Sequence, residues 1–304
     1  MNNHILRAFG SKSFLFLWIG EVFTQVSGNL FNFYLLIFAF ELQQSSSDVS
    51  KIVISFTIPA ILFGVLAGAY VDRWEKKKVL YLINILRTVL LLVLAIFYGN
   101  FWFLFVTSFL FSLLTQFFIP AESPMIPQLV PKDKLLSANA LFGLGLFGSA
   151  LFAYVISGPL LLAVHETGSL VFLAGMQMIG AACIYFVKVE KKEKITTADE
   201  ETLSFQKELK QAFSIISRTR AIYQSLVILA MTQVLTLILA TLIPAYATTV
   251  LKLPIEKFVF LFITPAAIGT VLGAIIIVNF LSKFVKETLV TIGIFLFGLV
   301  FGLV

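Results

Sequence analysis

Apolar residues in this chain come in long unbroken runs, not in the alternating or one-face patterns of soluble strands and helices. A helix needs roughly 20 such residues, at about 1.5 Å each, to cross a bilayer core. Runs of that kind occupy residues 14–40, 52–71, 79–98, 101–119, 141–164, 168–187, 222–250, 258–281 and 289–304. The third and fourth are nearly continuous, and Gly99-Asn100 supplies the turn that divides them. The pattern predicts an all-α polytopic membrane protein; a transmembrane barrel would show short alternating segments. The first run is too long for a cleaved signal peptide and lacks a small-residue cleavage site. The chain reaches Val304 inside the ninth run with no polar flank. The expectation is therefore a six-helix half followed by three helices of an incomplete, C-terminally truncated second half.

Between the sixth and seventh runs the pattern turns polar, with eight basic and six acidic residues over 188–221. This divides the chain into a first transmembrane half (1–187), a linker (188–221) and a partial second half (222–304). Within the linker, residues 203–217 have the pattern of an amphipathic surface helix.

Composition agrees. Hydrophobic residues are 59% of the 304, Phe alone contributes 33, charged residues are 12%, and mean hydropathy is +0.99. No soluble fold hides that much apolar surface, and disorder needs the opposite balance. The net charge of +6 raises the question of nucleic acid, and the placement of the charges answers it. With the N-terminus cytoplasmic, eighteen of the 22 basic residues fall in inside segments. Lys51, Lys252 and Lys257 fall outside, and Arg87 lies within a run. That is the positive-inside bias of a multi-pass membrane protein, and a nucleic-acid partner is not needed to explain it. His4 and His165 are far apart and Cys183 is the single cysteine, which leaves no zinc-ligand spacing and poor material for an enzyme. There is no P-loop either, and neither cofactor nor metal is expected.

Polar groups inside a membrane helix are costly and face protein or water. Glu21, Gln25, Asn29 and Asn32 are spaced to share one face of the first helix. The fourth carries Ser108, Ser112, Thr115 and Gln116; the seventh carries Ser225, Thr232 and Thr236. Each stripe reads either as a cavity lining or as interhelical hydrogen bonding. Glu21 is the one carboxylate deep in any run, and Arg87 is the one basic residue there. They lie at similar depth, about 10 Å and about 13 Å from the inner end of their helices. A buried ion pair is open to them, as is an arginine bonded to helix carbonyls.

Two short matches suggest an internal repeat. Gly64-x-x-x-Gly68-Ala69 recurs as Gly269-x-x-x-Gly273-Ala274, and Thr24-Gln25-Val26 recurs as Thr232-Gln233-Val234. Two related helical halves around a central site is a transporter plan. The loop after the second run sharpens this. Gly68, Asp72, Arg73, Lys76 and Lys77 resemble the signature loop of the major facilitator superfamily, G-x-x-x-D-R-x-G-R-[RK]. Glu75 stands where that motif has glycine, and Lys76 where it has arginine. The acidic residue resembles the macrolide-efflux-like branch of drug/proton antiporters, as do Phe118-Ile119-Pro120-Ala121, Pro127-Gln128-Leu129-Val130-Pro131 and Ala138-Asn139-Ala140. Gly158-Pro159 resembles the G-P of the antiporter motif, or is a plain helix kink.

The resemblance implies that the loop latches the two halves, with Glu122 pairing to Lys76 or Arg73 or else standing as a solvated carboxylate. It also implies a cavity lined by the first, fourth and seventh helices, at Gln25, Asn29, Asn32, Ser112, Gln116, Thr232 and Thr236. Glu21 and Arg87 are the candidates for proton coupling. The function expected is plasma-membrane export of a hydrophobic or amphipathic small molecule, a multidrug efflux antiport against protons by alternating access. A substrate/proton symporter, a lipid or siderophore transporter, and a non-transporting membrane scaffold stay open. The partners expected are that small molecule, protons and membrane lipid.

Overall fold

The computed structural model describes residues 11–189 and 220–258, with a few positions between 261 and 295. Among these residues there are helices and turns and no strand. The 203–217 surface helix and nearly all of the eighth and ninth runs lie outside the described residues, as does Gly273 of the repeated glycine pair.

Helix α1 is Lys12–Gln43, α2 Ser46–Asp72, α3 Lys76–Ile96 and α4 Phe101–Glu122. Their bounds follow local chemistry. Ser11 caps α1 by accepting from the Phe14 amide at 3.3 Å, and the chain leaves α1 through Gln44 at φ 52°. The predicted break between α3 and α4 occurs at Asn100, whose side chain accepts from the Trp102 amide at 2.9 Å. Beyond α4 the chain continues through the turn Ser123–Met125 and the short helix Ile126–Leu129. A 52-residue helical stretch, Leu135–Phe186, is broken at His165 (φ 55°, ψ −171°) into α5 (135–164) and α6 (166–186). The break falls between the fifth and sixth predicted spans. The backbone keeps helical angles through Gly158 and Pro159, so the sharp change of direction is at His165 and not at the proline. Helix α7 is Arg220–Ala245, extended by a π-helical turn Tyr246–Val250.

Helix α1 packs along α5 and α6, α3 along α6, and α2 along α4. The contacts bury two apolar clusters. One holds Phe31, Tyr34, Phe38, Leu91, Phe111 and Leu173. The other holds Phe14, Leu17, Leu80, Phe118, Leu141 and Ile184 and lies toward the basic face, where Lys76, Lys77 and Lys78 begin α3. Between the clusters four helices contribute polar or small residues. These are Glu21 and Thr24 on α1, Asn84, Arg87 and Thr88 on α3, Thr115 on α4, and Gln177 and Gly180 on α6. On the outside, α2 to α6 present Ile61, Leu62, Ile96, Phe147 and Phe172, the surface a membrane protein turns to lipid.

The polar layer is tight because two glycines meet in it. A Cβ added at Gly20 would stand 3.2 Å from the Gly180 carbonyl oxygen. One added at Gly180 would stand 2.5 Å from Thr24 Oγ1 and 3.1 Å from Asn84 Nδ2. Asn84 Nδ2 in turn donates to Thr24 Oγ1 at 3.0 Å, so the hydroxyl is not free to swing away. Gly180→Ala is expected to lower the thermal midpoint of the detergent-purified protein, at an overpacking cost of about 1–3 kcal/mol. Gly28→Ala, with nothing within 4 Å of the new Cβ, is expected to leave it almost unmoved. Equal midpoints for the two variants would contradict the crossing.

Candidate functional site

Helical periodicity places the site. On α4, Phe111, Thr115, Phe118 and Glu122 are spaced 4, 3 and 4 apart and share one face. That face meets Arg87 of α3. Arg87 Nη2 donates to Thr115 Oγ1 at 2.7 Å, and the guanidinium carbon lies 4.7 Å from the Phe111 ring centre and 5.0 Å from that of Phe118. Aromatic faces attract a cation and cost it little hydration when it is already buried. Arg87 is 3% exposed and its Nε has no hydrogen-bond partner. The sequence left open an ion pair or a carbonyl-bonded arginine. The structure shows neither, but a guanidinium held by a hydroxyl and two phenyl rings.

Glu21 reaches the same place from α1 and is 1% exposed. Its carboxylate faces that of Glu122, and both lie in the electrostatic reach of Arg87. Neither oxygen of Glu21 has a hydrogen-bond partner, nor does Glu122 Oε1. This corrects the surface role read for Glu122. Helical spacing keeps it on the buried Arg87 face to the last turn of α4, and its neighbours there are Glu21 and Arg87.

The remaining predicted residues divide. Gln25 stands beside Glu21. Asn29 is half-buried and donates to the Gln25 carbonyl at 2.8 Å, while Asn32 is exposed. Ser112 joins α4 to α2, donating to the Phe56 carbonyl at 2.5 Å, and the Ser108 and Ser55 hydroxyls meet between the same two helices. Gln116 bonds within its own helix at 3.3 Å. Thr232 and Thr236 are exposed, each donating one turn back along α7 at 2.8 Å. In the loop after α2, Lys76 donates to the Asp72 carbonyl at 2.6 Å and Asp72 is exposed. Arg73 caps α2, and Lys77 lies 5.7 Å over the Tyr185 ring of α6. Trp74 stacks on Phe117 of α4, ring centres 6.1 Å apart. A Cβ on Gly68 would meet nothing within 4 Å, so no close helix approach depends on that glycine here.

The sequence reading missed the node where Gly20, Thr24, Asn84, Gln177 and Gly180 meet. Each is unremarkable alone, and of the five Thr24 drew notice in the sequence only as part of a repeat match.

Residues 17–304 match the Major Facilitator Superfamily. The chain belongs to that superfamily. Membership places it among multi-pass membrane proteins of a transporter superfamily. The uncharacterized MFS-type transporter YfiS of Bacillus subtilis (strain 168) is 24% identical over 181 residues, covering 59% of this chain and 43% of its own length. Macrolide efflux protein A of Streptococcus pyogenes is 20% identical over 226 residues, covering 71% of this chain and 54% of its own. The chain thus spans about half the length of these relatives. The fold is that of a bacterial homologue of the human lysosomal transporter Spinster, solved inward-facing and unoccupied. That match has a TM-score of 0.67 at 12% identity, covering 93% of this chain and 64% of the other.

In this superfamily member Arg87 lies near both buried acids, and their interaction is measurable. Arg87→Met leaves two facing carboxylates without their cation and is expected to cost about 3 kcal/mol of stability. Adding Glu21→Gln should recover a large part of it, because the second change removes the charge the first one stranded. Denaturation of the two single variants and the double variant tests this. Strict additivity would mean that the two groups do not interact.

Proposed function

We propose that the whole transporter exports a hydrophobic or amphipathic small molecule in exchange for protons, by alternating access, with Glu21 carrying the coupling proton. The observation behind this reading is the state of Glu21, a carboxylate buried between apolar clusters with both oxygens unpartnered. A group so placed is an expensive way to hold helices together, and intramembrane carboxylates commonly serve proton relays. The likeness to macrolide efflux protein A favours export. The polar face running from Glu21 through Gln25 to Asn29 is the proposed wall of the substrate path.

The proposal includes the organisation of the chain. Residues 1–187 form one half, 188–221 a cytoplasmic linker and 222–304 part of the other half, in the plasma membrane. The Asp72 loop is proposed to bias the conformational equilibrium without touching substrate.

Glu21→Gln keeps shape and removes titration. In the full-length protein it is expected to bind substrate but to lose accumulation driven by a pH gradient in energised vesicles; Asp72→Asn should alter the rate with affinity little changed. Normal export by Glu21→Gln with normal pH dependence would send the proton elsewhere. Orientation has its own check. Single cysteines at Ser47 and Lys207, in a Cys183→Ser background, should label from opposite sides of the membrane. Labelling of both from outside would overturn the orientation and the loop assignments with it.

A further inference from the structure

We propose that Glu122 is the second half of the proton site, so that Glu21 and Glu122 hold one exchangeable proton between their carboxyls. The inference rests on the coupling role proposed for Glu21 and adds a partner and a stoichiometry.

Charge counting carries it. Glu21, Glu122 and Arg87 are 1%, 5% and 3% exposed, on three different helices. Two carboxylates against one guanidinium leave a net negative charge in a place that cannot solvate it. One bound proton brings the group to neutrality. Geometry agrees. Two ionised carboxylates are acceptors only, and here they face each other with three of their oxygens unpartnered. A hydrogen bond closes between them when one carries a proton, and it also removes the repulsion between like charges.

The surroundings supply no alternative counter-charge. Helix α3 contributes Arg87 and the neutral Asn84; α6 contributes Gln177 and Gly180 at this level. On α2, Asp48 and Lys51 pair with each other at one end, and Tyr70 and Asp72 are exposed at the other; at the start of α3, Lys76 bonds Asp72, Lys78 pairs with Glu75 and Lys77 lies over the Tyr185 ring. On α5 and α6 those among the described residues are Tyr154, Glu166, Cys183 and Tyr185, and none acts on either carboxyl. Arg87 gives its Nη2 to Thr115 and not to an acid. It therefore balances the pair from a fixed position while the proton comes and goes.

The test is infrared spectroscopy of the full-length transporter in lipid nanodiscs, reading the carbonyl band of a protonated carboxylic acid and its shift in deuterated water. The parent should show the band at neutral pH. Glu122→Gln should abolish it as completely as Glu21→Gln, because either change leaves one carboxylate balanced by Arg87. Glu122→Asp, which keeps a carboxyl, should retain it. Arg87→Met should roughly double its area, since both carboxyls then need a proton; this decides the matter if Glu122→Gln does not fold. A band unchanged in Glu122→Gln, or unchanged in Arg87→Met, overturns the proposal. So does removal of the parent band by sodium ions at fixed pH, which would make the pair a metal-cation site. The coupling role fails separately. If the band behaves as expected while Glu21→Gln exports normally, the shared proton stands and the transport reading falls. If Glu21→Gln loses pH-driven export while the band survives Glu122→Gln, the coupling role stands and Glu122 leaves the site.

Discussion

A guanidinium surrounded by hydrocarbon has to find its partners inside the protein, and much of this helical bundle is arranged around that need. Arg87 sits between two apolar clusters, with Phe111 and Phe118 on one side of the question and Thr115 on the other. The rings contribute attraction without competing for its donors, and the hydroxyl takes one of them. Lysine would not substitute well, because its compact ammonium cannot spread over two rings and still reach Thr115. Once Arg87 is fixed, α3 and α4 are fixed in register, and the acid at the end of α4 arrives beside the acid of α1.

The polar layer does for this bundle what a continuous apolar core could not. Between hydrocarbon tails and leucine there is little to choose, so apolar contact alone specifies helix partners poorly in a membrane. Hydrogen bonds at defined heights do better. Thr24 links α1 to α3, Ser27 links it to the Leu173 carbonyl of α6 at 3.0 Å, and Tyr34 links it to the Ser157 carbonyl of α5 at 2.7 Å. Trp18 adds a fourth tie to the Leu141 carbonyl at 2.8 Å. Helix α1 is thereby held at four levels by three neighbours.

The fold was legible because span length and basic-residue placement are one-dimensional signals. The seven described spans lie where the apolar runs lie, and Asn100 and His165 divide the two long stretches. The signature loop was legible as a motif. The site was legible in part. Glu21 and Arg87 declared themselves by being charged inside apolar runs, and helix rise placed them at one depth. Glu122 did not, since a carboxylate beside Pro120 and Ser123 reads like a helix-end residue on a polar face. Its burial depends on which side of α4 meets α3, a matter of rotation about the axis that no run of apolar letters encodes. The hydroxyl stripe of α4 is ambiguous in sequence for a related reason. Serine in a helix suits a neighbour's polar group as well as water, and here Ser112 bonds the Phe56 carbonyl and Ser108 the Ser55 hydroxyl, both on α2.

The crossing of Gly20 and Gly180 has a mechanical side. Where side chains separate two helices, rotamer changes give them room to slide. Here backbone meets backbone across the gap, with the Thr24–Asn84 hydrogen bond closing it, so there is almost no slack at that height. Helices α1, α3 and α6 are pinned there like leaves on a common rivet. Rearrangements of this half are then confined to pivoting about that point, with the largest excursions at the helix ends and the smallest beside the buried acids.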